Sequence, residues 1–159
     1  MPVLLCRVDD RLVHGQVVIG WGRPLGIDRI ALVDEAVAAS PFEQELYRMA
    51  VPPEMGIEFL NPAEAARRLP EWAQGPDRYL VLTGSVETMA RLHDLQPGIV
   101  ARINLGGIHD APGRREYLRF VYLSPAEAAT LRRLAANGAE VIAQDLPTSR
   151  PVALAELSQ

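Results

Sequence analysis

Three tetrapeptides constrain the fold of this chain more than anything else in it: SPFE at 40–43, NPAE at 61–64 and SPAE at 124–127. Each sets a Ser or Asn N-cap before a proline at the first helical position and a glutamate at the third, the pattern that closes a capping box. A helix start written this explicitly commits the residues behind it, so helices are predicted over 41–51, 62–72 and 125–137, the last stopped by Asn137-Gly138. Weaker signals add helices at 15–24 and at 86–95, the second capped by Ser85. Between the helices lie short runs rich in Val, Ile and Leu: VLLCRV (3–8), RIALVD (29–34), GIEFL (56–60), RYLVLTG (78–84), IVARINLGG (99–107), LRFVYL (118–123) and AEVIAQDL (139–146). Several have no polar face, as strands covered on both sides do. Strand–helix alternation with short links predicts a single α/β domain over residues 1–159: an open, mostly parallel sheet of about seven strands with helices on both faces. Residues 108–117 read as the longest irregular piece, and 147–159 as a loosely attached extended segment or a short final helix.

Composition removes several classes of function. A formal net charge of -4 argues against nucleic acid as a partner, because phosphate-backbone binding needs a basic surface. All 16 basic residues are arginine, which excludes lysine-based mechanisms and the P-loop. The single cysteine, Cys6, sits in an apolar run and reads as a small core hydrophobe in a reducing, cytoplasmic compartment. No signal pattern is visible at the N-terminus, and no apolar run approaches the ~18 residues of a membrane span. His14, His93 and His109 have no ligand-like spacing, so no metal is expected, and no cofactor is implied. His93 reads as structural or surface. Trp21 and Trp72 read as core or helix-packing residues rather than sugar-stacking platforms. The arginine runs at 67–68, 114–119 and 132–133 read as solvated faces, one of which is available to an acidic partner surface.

In open parallel sheets ligands bind beyond the carboxyl ends of the strands. The loop leaving the first strand is DDRLVHG, within CRVDDRLVHGQVVIGWG at 6–22. His14 precedes a helix whose opening amides, from Gly15, Gln16 and Val17, lack intrahelical partners and can face an anion. Gly15 leaves space beside the imidazole, and Arg11 offers a planar guanidinium suited to phosphoryl oxygens. Asp9 or Asp10 can bond one ring nitrogen and leave the other free as a nucleophile, and Asp10 is counted within the site. Those parts suit reversible phosphorylation of His14. The same spacing also fits a capping histidine beside a surface ion pair, and from spacing alone both readings stand. Thr83, with Gly84 and Ser85, forms a turn able to add a hydroxyl and amides, although Ser85 is more simply an N-cap. His109 reads as an exposed loop residue, with a place beside His14 as the alternative.

The segment RVDDRLVHGQVVIGW resembles the active-site segment of the IIB component of the bacterial sugar phosphotransferase system (PTS), mannose/fructose/sorbose family, and its Asp-Arg-Leu-hydrophobic-His-Gly-Gln run is specific. The resemblance extends through DRIALVDEAVAASPFEQELYRMAVPPEMGIEFL, INLGGIHDAPGRREY, whose Gly106-Gly107 turn matches the family's, and GAEVIAQDLPTSRPV. It implies a phosphotransferase that works as a phosphocarrier. His14 would accept a phosphoryl group on Nδ1 from Nε2 of a phosphorylated IIA protein and pass it to a sugar presented by the IIC/IID permease. Arg11 would be the clamp, with Gly107 approaching the phosphoryl group. It also implies a cytoplasmic protein held at the inner membrane face through the permease. A regulatory IIB-like domain, phosphorylated but not driving transport, is the alternative. A dinucleotide enzyme is disfavoured by the missing G-x-G-x-x-G after the first strand. A homodimer stays open.

Overall fold

A computed structural model describes residues 3–157. Six parallel strands, β1 (Val3–Val8), β2 (Arg29–Val33), β3 (Gly56–Leu60), β4 (Tyr79–Thr83), β5 (Arg102–Leu105) and β8 (Glu140–Ala143), form one sheet with the antiparallel edge strand β9 (Val152–Ala153), in the order β3-β2-β4-β1-β5-β8-β9. Beyond it lies a separate antiparallel hairpin of β6 (Arg115–Leu118) and β7 (Val121–Leu123). The run 118–123 therefore does not join the sheet as expected; the seventh strand comes from the tail. The physical reason is connection length. Residues 108–117 are too few and hold no helix to make the crossover a parallel strand needs. The chain instead turns at Arg119-Phe120 and pairs with itself.

The predicted helix starts form, two of the three with the complete capping box and the SPFE start with the Ser40 half alone. In α4 (Pro62–Gln74) and α6 (Pro125–Ala136), Asn61 and Ser124 accept from the third helical amide while Glu64 and Glu127 accept from the cap's own amide. Ser40 caps α3 (Pro41–Met49), and Ser85 caps α5 (Val86–Leu95) by accepting from Thr88 N. Asp34, read as a strand end, instead caps a short helix, α2 (Glu35–Ala38). The predicted helix 15–24 is a π-helix over Gln16–Gly22 running into α1 (Arg23–Leu25). The tail is packed rather than loose: α7 (Leu154–Leu157) follows β9, and Leu157 is buried.

Alternating residues of the central strands feed two cores. Cys6, Val8, Ala31, Val33 and Val81 face Leu69, Trp72, Met89, Leu92 and Leu131 from α4, α5 and α6. Ile30, Leu32, Leu80 and Leu82 face Val13, Val17, Val18 and Val37 on the other side. Burial on both faces is what the unbroken apolar runs foretold. Trp72 stacks on Tyr79 at 4.6 Å between ring centroids. His93 is the structural of its two readings: it is buried, and its Nδ1 lies 2.7 Å from Val100 O. Burial pushes the Cys6 thiol up to about 12, leaving it unreactive. Among the described residues no helix is long and apolar enough to cross a membrane.

Ser124→Ala removes the acceptor for Glu127 N at 3.1 Å. The expected loss is about 1 kcal/mol, seen as a lower urea midpoint with an unchanged slope.

Candidate functional site

The chain leaves β1 between the ends of β4 and β5, and both neighbours grip it. Asp9 N donates to Thr83 O at 2.9 Å, Asp10 N to Gly107 O at 2.8 Å, and Gly106 N to Val8 O at 2.7 Å. Leu12 N then donates to Asp9 O at 3.0 Å, and Leu12 adopts a left-handed φ of 59°. For a residue with a Cβ this costs about 1–2 kcal/mol, and burial of the Leu12 side chain helps to hold the turn.

Asp9, fully buried, is the hub of the site. Arg11 donates to it from its backbone amide and from Nε, both at 3.1 Å to Oδ1, and from Nη2 at 3.1 Å to Oδ2. Arg7 Nη2 approaches Oδ2 from the other side at 3.5 Å. Burial alone would raise the Asp9 carboxyl; the hydrogen bonds and charge of Arg11, with the charge of Arg7, outweigh it and hold the group below its usual range. This is not the surface ion pair that spacing allowed.

Arg7 is itself fully buried and ties the site to the rest of the molecule. It donates from Nη1 to Asn104 Oδ1, from Nη1 to Gln144 O at 2.9 Å and from Nη2 to Asp145 O at 3.0 Å. Its guanidinium lies 4.7 Å from the centre of the Trp21 ring, whose Nε1 donates to the same Asp145 O at 3.0 Å. Burial lowers Arg7 to about 10, still charged at neutral pH. The Gly106-Gly107 pair makes room for these cations. A Cβ at Gly106 would run into the Arg7 guanidinium, and one at Gly107 would lie 3.2 Å from Arg11 Nε and 3.4 Å from Asp9 Oδ1.

His14 faces this hub through Nε2, 3.4 Å from Asp9 Oδ2, an ion-pair distance without the alignment of a hydrogen bond. Nε2 is buried; Nδ1 is not among the buried unpartnered atoms and has no partner among the described residues, so it is the ring nitrogen open to solvent. Burial lowers the His14 pKa from its usual 6.5, Asp9 opposes that, and Arg11 adds to it. The shift favours the neutral imidazole, with Nδ1 on the solvent side of the ring.

The other expected site residues fall in different places. Asp10 does not face His14; it accepts from the amide of His109 at 2.8 Å and pairs with His109 Nδ1, bracing the following loop. Asp9 is the carboxylate beside the ring instead, and Asp10, within the turn closed by Leu12 N and Asp9 O, reaches His109. His109 is exposed, and its carbonyl accepts from Arg114 Nη1 at 2.9 Å. Thr83 is buried, with its hydroxyl donated to Ser85 O at 3.2 Å, so that hydroxyl is occupied within its own turn. Gly15 has helical torsions and open space where a Cβ would stand, so nothing within this chain requires it to be glycine. Gln16 begins the π-helix, and its Oε1 is buried without a partner. The amides of Gly15 to Val17 precede the first helical bond, from Val18 N to His14 O at 3.0 Å.

The residues that sequence reading passed over are Arg7 and Asn104. Arg7 carried a signal: a cation inside an otherwise apolar strand must be buried, and buried cations have partners. Asn104 carried none, since it joins Arg7 only across the sheet. Beside the hub, Arg11, Gln16, Gly107, His109, Arg119 and Tyr122 line a cleft of about 260 Å³. A larger groove of about 630 Å³ runs along α5 and α6, but its Asp94 and Arg133 pair with each other and no His or Cys lines it. Among the described residues no three His, Cys, Asp or Glu side chains are grouped to hold a metal.

Comparison with known proteins places the whole described chain in one family. A family model described as "PTS system sorbose subfamily IIB component" matches residues 3–159. The chain is 31% identical over 137 residues to the sorbose-specific EIIB component of Klebsiella pneumoniae, covering 84% of this chain and 81% of that one. It is 25% identical over 158 residues to the mannose-specific EIIAB component of Escherichia coli, covering 99% of this chain and 48% of that one. The crystal structure of the N-acetylgalactosamine-specific IIB component 1 from E. coli superposes with a TM-score of 0.87 at 25% identity, over 94% of this chain and 97% of that one.

The His14 titration is expected to have its midpoint below 6.5, to move lower in Asp9→Asn and to move higher in Arg11→Ala, following the signs of those charges. Imidazole resonances followed by NMR against pH check all three.

Proposed function

This chain belongs to the sorbose subfamily of PTS IIB components, and from that premise we propose that it is a phosphocarrier that takes a phosphoryl group on His14 Nδ1 from a phosphorylated IIA protein and gives it to a sugar held by a IIC/IID permease. The observation that carries this reading is the polarity of the imidazole. Nε2 is buried against Asp9 and Nδ1 is open, so the ring presents one nucleophile.

The chemistry follows from the contacts. The Nδ1 lone pair attacks the phosphorus of the donor phosphohistidine; the new P–N bond forms as the old one breaks, and the donor imidazole leaves with its electron pair. The His14 ring then carries positive charge, which the Asp9 carboxylate balances through Nε2–H. Arg11, anchored on Asp9 and partly exposed, holds its cation beside the incoming oxygens. Transfer through a loose transition state requires positioning and charge stabilisation more than proton movement. In the second half-reaction a sugar hydroxyl oxygen attacks phosphorus, the P–N bond returns its pair to Nδ1, and the hydroxyl proton leaves to solvent. The buried hub supports a loop that keeps its shape through both steps: Asp9 is bound by two arginines, and Arg7 is bound in turn by Asn104 of β5 and by the backbone that follows β8.

A IIA partner is supported by the EIIAB relative, of which this chain spans about half. Such a carrier works at the cytoplasmic face of the membrane, held there by the permease. Gly15, with open space beyond its Cα, leaves the approach to the imidazole clear for either partner.

Intact mass after incubation with phosphorylated IIA tests the reading. Wild type is expected to gain one acid-labile, base-stable phosphoryl group, His14→Ala none, and Arg11→Ala to gain it about 10²-fold more slowly. An unlabelled wild type, or a labelled His14→Ala, overturns it. Because the His14 pKa is lowered, the transfer rate should hold as pH falls past 6.5 and decline only below that, measured with the donor held saturated.

A further inference from the structure

The β6–β7 hairpin lies outside the sheet, and the carrier reading gives it no task. Its turn is nevertheless fixed beside the site: Ile108 N donates to Phe120 O at 2.8 Å and Tyr122 N to Ile108 O at 2.9 Å, next to the Gly106-Gly107 pair. At that turn stands Arg119. Most arginines near it have partners. Arg114 pairs with Glu127, Arg115 lies over the Tyr117 ring at 4.3 Å, Arg133 pairs with Asp94, and Arg7 and Arg11 share Asp9. Arg119 has neither an ion pair nor a hydrogen bond among the described residues, yet it lines the cleft shared with Arg11, Gln16 and Gly107.

Two further observations concern the same cleft. Gln16 Oε1 is a buried acceptor without a donor. Such an atom carries a desolvation cost that a nearby free donor would remove. The local charge is also incomplete for the proposed chemistry. The charges of Arg7 and Arg11 are more than matched by those of Asp9, Asp10 and Asp145, the last of which also lines the cleft, and a phosphoryl group adds about two negative charges. Among the described residues, the one cation of the cleft not already bound to a carboxylate is Arg119.

We propose that Arg119 is a second phosphoryl-binding residue, a guanidinium that closes over the cleft to hold the oxygens of phosphorylated His14 opposite Arg11, with Gln16 Oε1 receiving one of its N–H groups. This rests on His14 as the phosphoryl carrier and adds a residue from a hairpin distant in sequence. A planar fork with five donors can bind two phosphoryl oxygens and still reach Gln16. No bond is made or broken by Arg119; it stabilises charge on a group transferred between His14 and its partners.

The test uses the full chain phosphorylated from phospho-IIA, comparing wild type, Arg119→Ala, Arg119→Lys and Arg115→Ala. Position 119 is an exposed turn, so the variants are expected to fold, and thermal melts verify it. Expected for Arg119→Ala is a roughly tenfold to hundredfold lower kcat at saturating phospho-IIA. Its phosphohistidine should also titrate at higher pH by phosphorus NMR, because the dianion has lost a cation. Arg119→Lys should recover part of both, and Arg115→Ala, on the same hairpin, should match wild type. A raised KM with normal kcat and an unchanged phosphorus titration would overturn the proposal and make Arg119 a docking contact for an acidic partner. Arg119→Ala matching a phosphorylated wild type in every readout overturns it alone. A wild type that takes no phosphoryl group overturns it together with the carrier reading.

Discussion

Everything at the functional end of this molecule depends on one buried carboxylate. Asp9 has no contact with water and is satisfied only because two guanidiniums and a backbone amide converge on it. A buried charge with one partner removed is strongly destabilising, of order 3–5 kcal/mol. The arrangement is therefore close to all-or-none: the loop adopts the shape that brings Arg7, Arg11 and His14 around Asp9, or it leaves a bare charge in the interior. That constraint explains the tolerated left-handed Leu12 and the two adjacent glycines at the end of β5, which vacate the space the cations occupy.

The hub also gives His14 its chemical character. Burial and the Arg11 charge keep the imidazole neutral, while Asp9 engages the ring from the Nε2 side and limits that shift. In the proposed carrier role this balance suits a group that must accept and then release a phosphoryl group, because the positive ring formed on transfer would meet a counter-charge already in place. The second carboxylate of the pair has a separate mechanical role. Asp10 grips His109, and through its carbonyl Arg114 and the α6 capping glutamate, so the loops after β1 and β5 are tied to each other.

Much of the fold was legible because the signals were local. The Asn61 and Ser124 capping boxes, the Ser85 cap and the apolar runs of β2 and β4 each encode their conformation within a few residues. The misread strands were matters of pairing. LRFVYL has strand composition, but its membership of a hairpin was decided by the short connection before it. The tail's VA dipeptide is too brief to signal a strand and becomes one only because β8 offers an open edge. The π-helix after His14 has the periodic apolar residues of an ordinary helix. Its wider turn appears only once Val17, Val18 and Trp21 must bury against the sheet and Asp145.

The sequence by itself determined that this is a parallel α/β domain with a histidine loop beyond the first strand, since helix caps, apolar periodicity and the DRLVHGQ run are all properties of neighbouring residues. It left two acids in a row with no means of ranking them, and a cation in an apolar strand without a partner. Only the tertiary structure decided that Asp9 turns inward to Arg7, Arg11 and His14 while Asp10 turns to His109, and that Asn104, Gln144 and Arg119 arrive from distant parts of the chain. The reason is physical. A buried charge is stabilised by whatever donors the packed elements bring to it, and which donors those are is settled by strand order, not by any stretch of sequence alone.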